Sequence, residues 1–253
     1  MRTSAMAQSK QKSSPRRPFG FARWRGDKRG VAAVEFALIL PLMVVLYLGS
    51  SEVTQGVLAS RKMAIVSRTL SDLVAQQPTA TTAPCTAAGL CDSTMTSIFA
   101  AASVIMSPFS VTALGDGTST LTMVVSSVEF VANATSPAPA TASNGYEAVV
   151  RWSKSAASPN VGTVRSCVNK LTPVTNTTAA ALTNLPSGLY SSGSLIIADV
   201  TYKYKPTFGG TLLAWSSTDS SVSMKNTTYM RPRNWTTYIT YPSQNGVGAS
   251  CTG

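Results

Sequence analysis

The chain has 253 residues, 21 Lys and Arg against 10 Asp and Glu, a formal charge of +11 and no histidine. Without histidine there is no Ser-His-Asp or Cys-His catalytic pair and no His-containing zinc site; no clustered acid pair or nucleophile with a base replaces them, so a non-enzymatic protein without a cofactor or metal is expected. A hydrophobic content of 44 % suffices for a packed core in one or two domains.

The charge is concentrated at the start. Residues 1–30 hold nine basic side chains against Asp27, whereas the remaining 223 residues hold twelve basic and nine acidic ones. A basic head on a near-neutral body fits an arm for nucleic acid, an arm for anionic lipid, or the cytoplasmic flank of a membrane span. The next stretch selects the last, and nucleic acid is set aside as a partner. Residues 31–49, VAAVEFALILPLMVVLYLG, carry Glu35 as their only charge and Pro41 as their only helix disturber. As a helix they extend about 28 Å, close to the hydrocarbon thickness of a bilayer. The positive-inside rule keeps residues 1–30 in the cytoplasm as a leader and translocates everything after the span. A cleaved secretory signal shares this layout, but the run is longer than a signal core and ends without a small-x-small site.

Glu35 lies in the fifth position of the span, where an unpaired carboxylate in lipid costs about 2–3 kcal/mol. It either pairs with another group or lies at the interface, favoured by the helix dipole. Its surroundings, Gly30 and then Val31-Ala32-Ala33-Val34-Glu35-Phe36, resemble the processing site of type IV prepilins. More closely, Gly30, Ala32, Ala33, Val34, Glu35, Phe36, Pro41, Gly49 and Glu52 resemble the amino-terminal region of TadE/TadG-like tight-adherence pilus assembly proteins. A second, shorter resemblance to longer family members lies in Ala198-Asp199-Val200-Thr201-Tyr202-Lys203-Tyr204-Lys205-Pro206-Thr207-Phe208-Gly209 and in Tyr229-Met230-Arg231-Pro232-Arg233.

The resemblance implies a pilin-like scheme. A prepilin peptidase would cut after Gly30 and free the amino group of Val31, although longer relatives are anchored without processing. The Val31 ammonium would then pair in the membrane with the Glu35 carboxylate of an adjacent subunit, with Phe36 beside it. Other pilus or pseudopilin subunits, the assembly platform and the bacterial inner membrane are the implied partners. Within the span, Ala33 and Ala37 form a small-xxx-small pair suited to close helix approach, and Pro41 permits a kink.

Beyond the span, residues 50–77 continue as a helix. Met63, Val66, Leu70, Leu73 and Gln77 mark one face, with Arg61, Arg68 and Asp72 on the other. Gln77-Pro78 ends it after about 70 Å. Residues 78–253 read as an extracytoplasmic α+β domain. Asp92 caps a short helix bearing Met95, Ile98, Phe99, Ala102 and Met106. Strands follow at 120–131 and 146–152, paired antiparallel, then at 196–204, half-buried, and at 221–230, more polar and placed at an edge. The expected fold is α+β and pilin-like, a transmembrane helix running into a long amphipathic helix packed on a small antiparallel sheet.

Cys85, Cys91, Cys167 and Cys251 all fall on the translocated side, where disulfides persist. Of the three possible connectivities, Cys85 with Cys91 and Cys167 with Cys251 are favoured. Trp152, Trp215 and Trp235 read as core packing. The leading function is a single-pass minor pseudopilin or assembly factor of a tight-adherence pilus or secretion apparatus; the alternative is a helix-anchored adhesin or carbohydrate-binding protein.

Overall fold

Apolar residues with helical spacing and no interior glycine before Gly49 make the first element of the computed structural model, which describes residues 30–79, 89–112, 120–167, 169–206 and 221–241. Helix α1 runs over Val31–Ala75, continuous through Pro41. It stops where sequence chemistry demands, because Pro78 disfavours helical backbone at Gln77. The chain divides into two compact units, the first ending at Leu48 and the second beginning at Gly49. In the second unit α1 buries a stripe of Ala59, Met63, Val66, Ser67, Leu70, Ser71 and Val74, while Arg61 and Arg68 are exposed. Leu73 and Gln77 are only half-buried at its margin.

Helix α2, Asp92–Ile105, buries Met95, Ile98, Phe99 and Ala102. Its N-cap is Cys91, with no side-chain cap hydrogen bond, so Asp92 sits inside the first turn rather than in the capping position expected of it. The Lys62 ammonium of α1 donates to the Ile105 carbonyl at 3.2 Å and to that of Ser107, neutralising the negative end of α2.

The strands are β1 Leu121–Ala132, β2 Ala142–Ser143, β3 Tyr146–Ser155, β4 Lys170–Val174, β5 Asn184–Pro186, β6 Gly193–Tyr204 and β7 Val222–Met230. Among the described residues they form one seven-stranded sheet, ordered β5-β4-β3-β1-β6-β7 with β2 beside β3. The four expected strands are β1, β3, β6 and β7, and β7 is the edge. The sheet is larger than expected and not wholly antiparallel, since β4 and β5 pair in parallel. These two short strands hold little alternation, and Pro173 and Pro186 obscure them further.

Strand alternation divides the core between two faces. On one face Leu121, Met123, Val125, Ile196, Ala198, Val200, Tyr202 and Tyr204 pack under α1 and α2. On the other, Val128, Phe130, Ala148, Val150, Leu195 and Ile197 pack with Leu171, Leu185 and Tyr190 from the segment that curls over them. A bulge allows both. Ser127 pairs with Trp152 but Val128 with Val150, so Arg151 is the extra residue. Trp152 therefore faces the helices, while Val150 and Ala148 face away. Arg151 reaches Glu129 at 2.6 Å.

Candidate functional site

The first half of α1 is apolar and uncovered. Its best window has a mean hydropathy of 2.4 with none of it buried, a helix long and apolar enough to cross a membrane. Phe36 is 66 % exposed and Leu38 75 %. Leaving such side chains in water sacrifices about 25 cal/mol per Å² of apolar surface, so this segment is built for lipid or for other helices. Glu35 is exposed among them, and Gly30 is exposed where the helix begins. A β-carbon added at Gly30 or at Gly49 would meet nothing within 4 Å.

Helical geometry separates features that the sequence lists together. At 3.6 residues per turn, Glu35 stands with Val31, Ile39 and Leu42, whereas Ala33 and Ala37 are each roughly 160–200° away around the axis. One neighbouring helix cannot both pack against the small pair and meet Glu35. Phe36 lies between these two faces, and Pro41 falls on the side of Ala37.

Past Leu48 the motif enters the second unit through Glu52. Its carboxylate accepts a hydrogen bond from the Tyr204 hydroxyl at 3.0 Å. One turn on, Gly56 leaves room for the Tyr204 ring, which a β-carbon there would meet at 3.7 Å. Burial, then the Glu52 carboxylate, pushes the Tyr204 hydroxyl up to about 12. Three turns further, Ser67 bonds Asn226 at 2.5 Å and Thr228 at 2.8 Å on β7. These two polar residues give β7 its hydrophilic look, yet they face the helix.

The end of α1 leaves carbonyls without intrahelical partners, and consecutive residues of one strap satisfy them. The Arg233 backbone N–H donates to Ala75 at 3.0 Å, the Asn234 amide to Gln76 at 3.3 Å and the Trp235 indole to Gln77 at 3.0 Å. The Arg233 guanidinium also pairs with Asp72 at 2.6 Å. Downstream, the Ile239 carbonyl accepts from the Trp152 indole at 2.6 Å, and Tyr241 donates to Asp92. Nothing local in residues 233–241 marks this strap, apart from Arg233 at the end of the second resemblance. Both segments of the second resemblance thus converge on α1, at Tyr204 and at Arg233.

Asp92, in the first turn of α2, has two polar partners, Tyr241 and Lys154. Burial acts to raise it, but hydrogen bonds from Tyr241 and Lys154 and the Lys154 charge outweigh that and hold it below the usual range. Lys154 pairs with it at 2.9 Å. Glu147 is likewise held down by Lys170 and Thr141. Cys91 and Cys167 are disulfide-bonded; Cys85 and Cys251 lie outside the described residues, and the expected pairings with them. Trp152 is buried and Trp235 packs on the main core as expected, whereas Trp215 lies outside the described residues. Ala33, Glu35, Phe36, Ala37 and Pro41 all lie in the first compact unit and are exposed on α1.

Residues 30–69 match the family model described as TadE-like protein. No curated protein and no solved structure matches the chain. The family model ends at Thr69, so the second resemblance stands on its residues alone. The matched residues run from Gly30 through Glu52 to Ser67, which contacts β7, and on to Thr69.

Proposed function

We propose that this protein is a membrane-anchored minor pseudopilin or assembly factor of a tight-adherence pilus or secretion apparatus. The TadE-like match supports a role in pilus assembly, and one observation carries the finer reading. The match includes an apolar helical run, residues 31–47, that is exposed throughout and holds the single carboxylate Glu35. Such a segment gains stability only when lipid and neighbouring helices cover it, and a carboxylate there requires a partner. The basic leader holds the start of the chain in the cytoplasm, and the α+β head lies outside the inner membrane. A prepilin peptidase cuts after Gly30, and the freed Val31 ammonium meets Glu35 of an adjacent subunit. The protein works by assembly and has no turnover chemistry.

The test is complementation of a deletion strain with the wild type and with Glu35→Gln, scored by fibre counts in electron micrographs and by the amino terminus of membrane-isolated protein. Wild type restores fibres and begins at Val31. Glu35→Gln accumulates in the membrane without restoring them. Fibres at wild-type number in the deletion strain overturn the assembly role. Fibres at wild-type number with Glu35→Gln overturn the pairing, and an amino terminus at Met1 or Arg2 overturns processing.

A further inference from the structure

The sheet face turned away from α1 holds a groove that neither the span nor the assembly reading uses. Two cross-strand rows floor it, Thr122–Thr201–Lys225 and Val124–Asp199–Thr227, each aligned across β1, β6 and β7. Gly162 and Thr163 form one wall and Ala179 to Thr183 the other, enclosing about 630 Å³. Gly162 is indispensable to that wall, because a β-carbon there would come within 2.5 Å of the Val124 side chain.

One buried cation builds both floor and wall. Arg165 is 1 % exposed, and its guanidinium holds Asp199 at 2.8 Å and the Ala181 and Leu182 carbonyls at 2.9 and 2.7 Å. Its backbone N–H is fixed by Ser153 at 3.0 Å. The other Asp199 oxygen accepts from Thr227 at 2.8 Å. Asp199 is therefore locked in orientation yet 19 % exposed at the groove floor, and each of its oxygens has a second lone pair to offer. Burying this guanidinium, with its Nε unpartnered among the described residues, is expensive compared with an apolar filling. What it secures is a rigid acceptor in a rigid trough, the arrangement a binding site requires.

The groups on offer define the ligand. Thr122, Thr163, Thr183, Thr201 and Thr227 supply hydroxyls, which both donate and accept. Arg165 cancels the charge of Asp199, and among the described lining residues Lys225 is the remaining cation. Among the described residues no aromatic ring lines the groove, and its floor is too polar for an acyl chain. A partner that donates to Asp199 and accepts from Lys225 while meeting alternating hydroxyls must carry many hydroxyls itself. We propose that this groove binds a short saccharide, with Asp199 as the acceptor, Lys225 as the donor and Thr201 between them. The site is independent of the pilus-assembly reading and would stand or fall without it.

Saturation-transfer NMR on the full chain in detergent micelles tests it, with mannobiose as the neutral probe, digalacturonic acid as the acidic probe and tetra-alanine as the peptide control. Saturation transfer to at least one disaccharide and none to tetra-alanine is expected. Thr201→Val, which removes one hydroxyl at constant shape, weakens that binding by about three- to tenfold, and Lys225→Ala does so while leaving the melting temperature unchanged. Transfer to neither disaccharide, equal transfer to tetra-alanine, or binding unaltered in both variants overturns the proposal.

Discussion

Two glutamates of the TadE-like segment show how environment sets a residue's task. Glu35 stands exposed on an apolar helix surface, whereas Glu52 accepts the Tyr204 hydroxyl at the first turns of the head. Glu35 is therefore free to serve contacts between molecules, and Glu52 serves the fold. The Tyr204 bond also gives a pH signature. Burial and the Glu52 carboxylate push its hydroxyl from the ordinary tyrosine range up to about 12, so the folded state favours the neutral form. That stabilisation is complete below pH 10 and is lost as pH rises from 10 towards 12. Burial raises Tyr190 and Tyr241 in the same direction. Melting curves of the full chain between pH 8 and 12 should fall across that window, and Tyr204→Phe should lower stability at pH 8 while flattening the fall. An identical slope in the variant would assign the alkaline loss to other groups. At the acid end, Asp92 and Glu147 are lowered, so their contributions are present above the ordinary carboxylate range and disappear as pH falls below it.

At the scale of elements, α1 was the most legible part of the chain, because its apolar stripe repeats at helical spacing for many turns. The central strands were legible for the same kind of reason, each being long and alternating. The short pair β4 and β5 was not, since five- and three-residue strands broken by proline carry no periodic signal. The strap was hidden more thoroughly. Arg233, Asn234 and Trp235 act on carbonyls some 158 positions earlier in the chain, and no local pattern encodes a cap supplied from that distance. Its energetic role is testable. Trp235→Phe keeps the ring but strands the Gln77 carbonyl, which should cost about 1 kcal/mol and speed amide exchange over residues 73–77 more than over 59–66. Equal exchange in both windows would show that the strap does not secure the helix end. By contrast, Leu70→Ala removes a fully buried side chain from the middle of the stripe. A loss of about 2–5 kcal/mol is expected in denaturant titration, with the whole head melting earlier.

Taken as a molecule, the chain replaces the impression of a uniformly basic protein with three unlike parts: thirty opening residues holding most of the charge, an apolar exposed helix, and a near-neutral head with its own two-sided core. The apolar exposed helix could be read from residues alone, because a segment able to cross a bilayer needs a composition and a length that soluble folding does not. The head's class was readable, but the groove of Asp199 and Arg165 was not, since its residues come from β1, β6, β7 and two loops, and only the register of the strands unites them. The central claim is that α1 has two solvents, lipid for its first half and the head's core for its second. Carbonate extraction combined with protease protection tests it most directly. The protein is expected to stay in the membrane pellet after carbonate washing, and proteinase added to spheroplasts to remove the head and leave a fragment ending near residue 50. Release into the carbonate supernatant, or a head protected in spheroplasts and cleaved only after lysis, would contradict it.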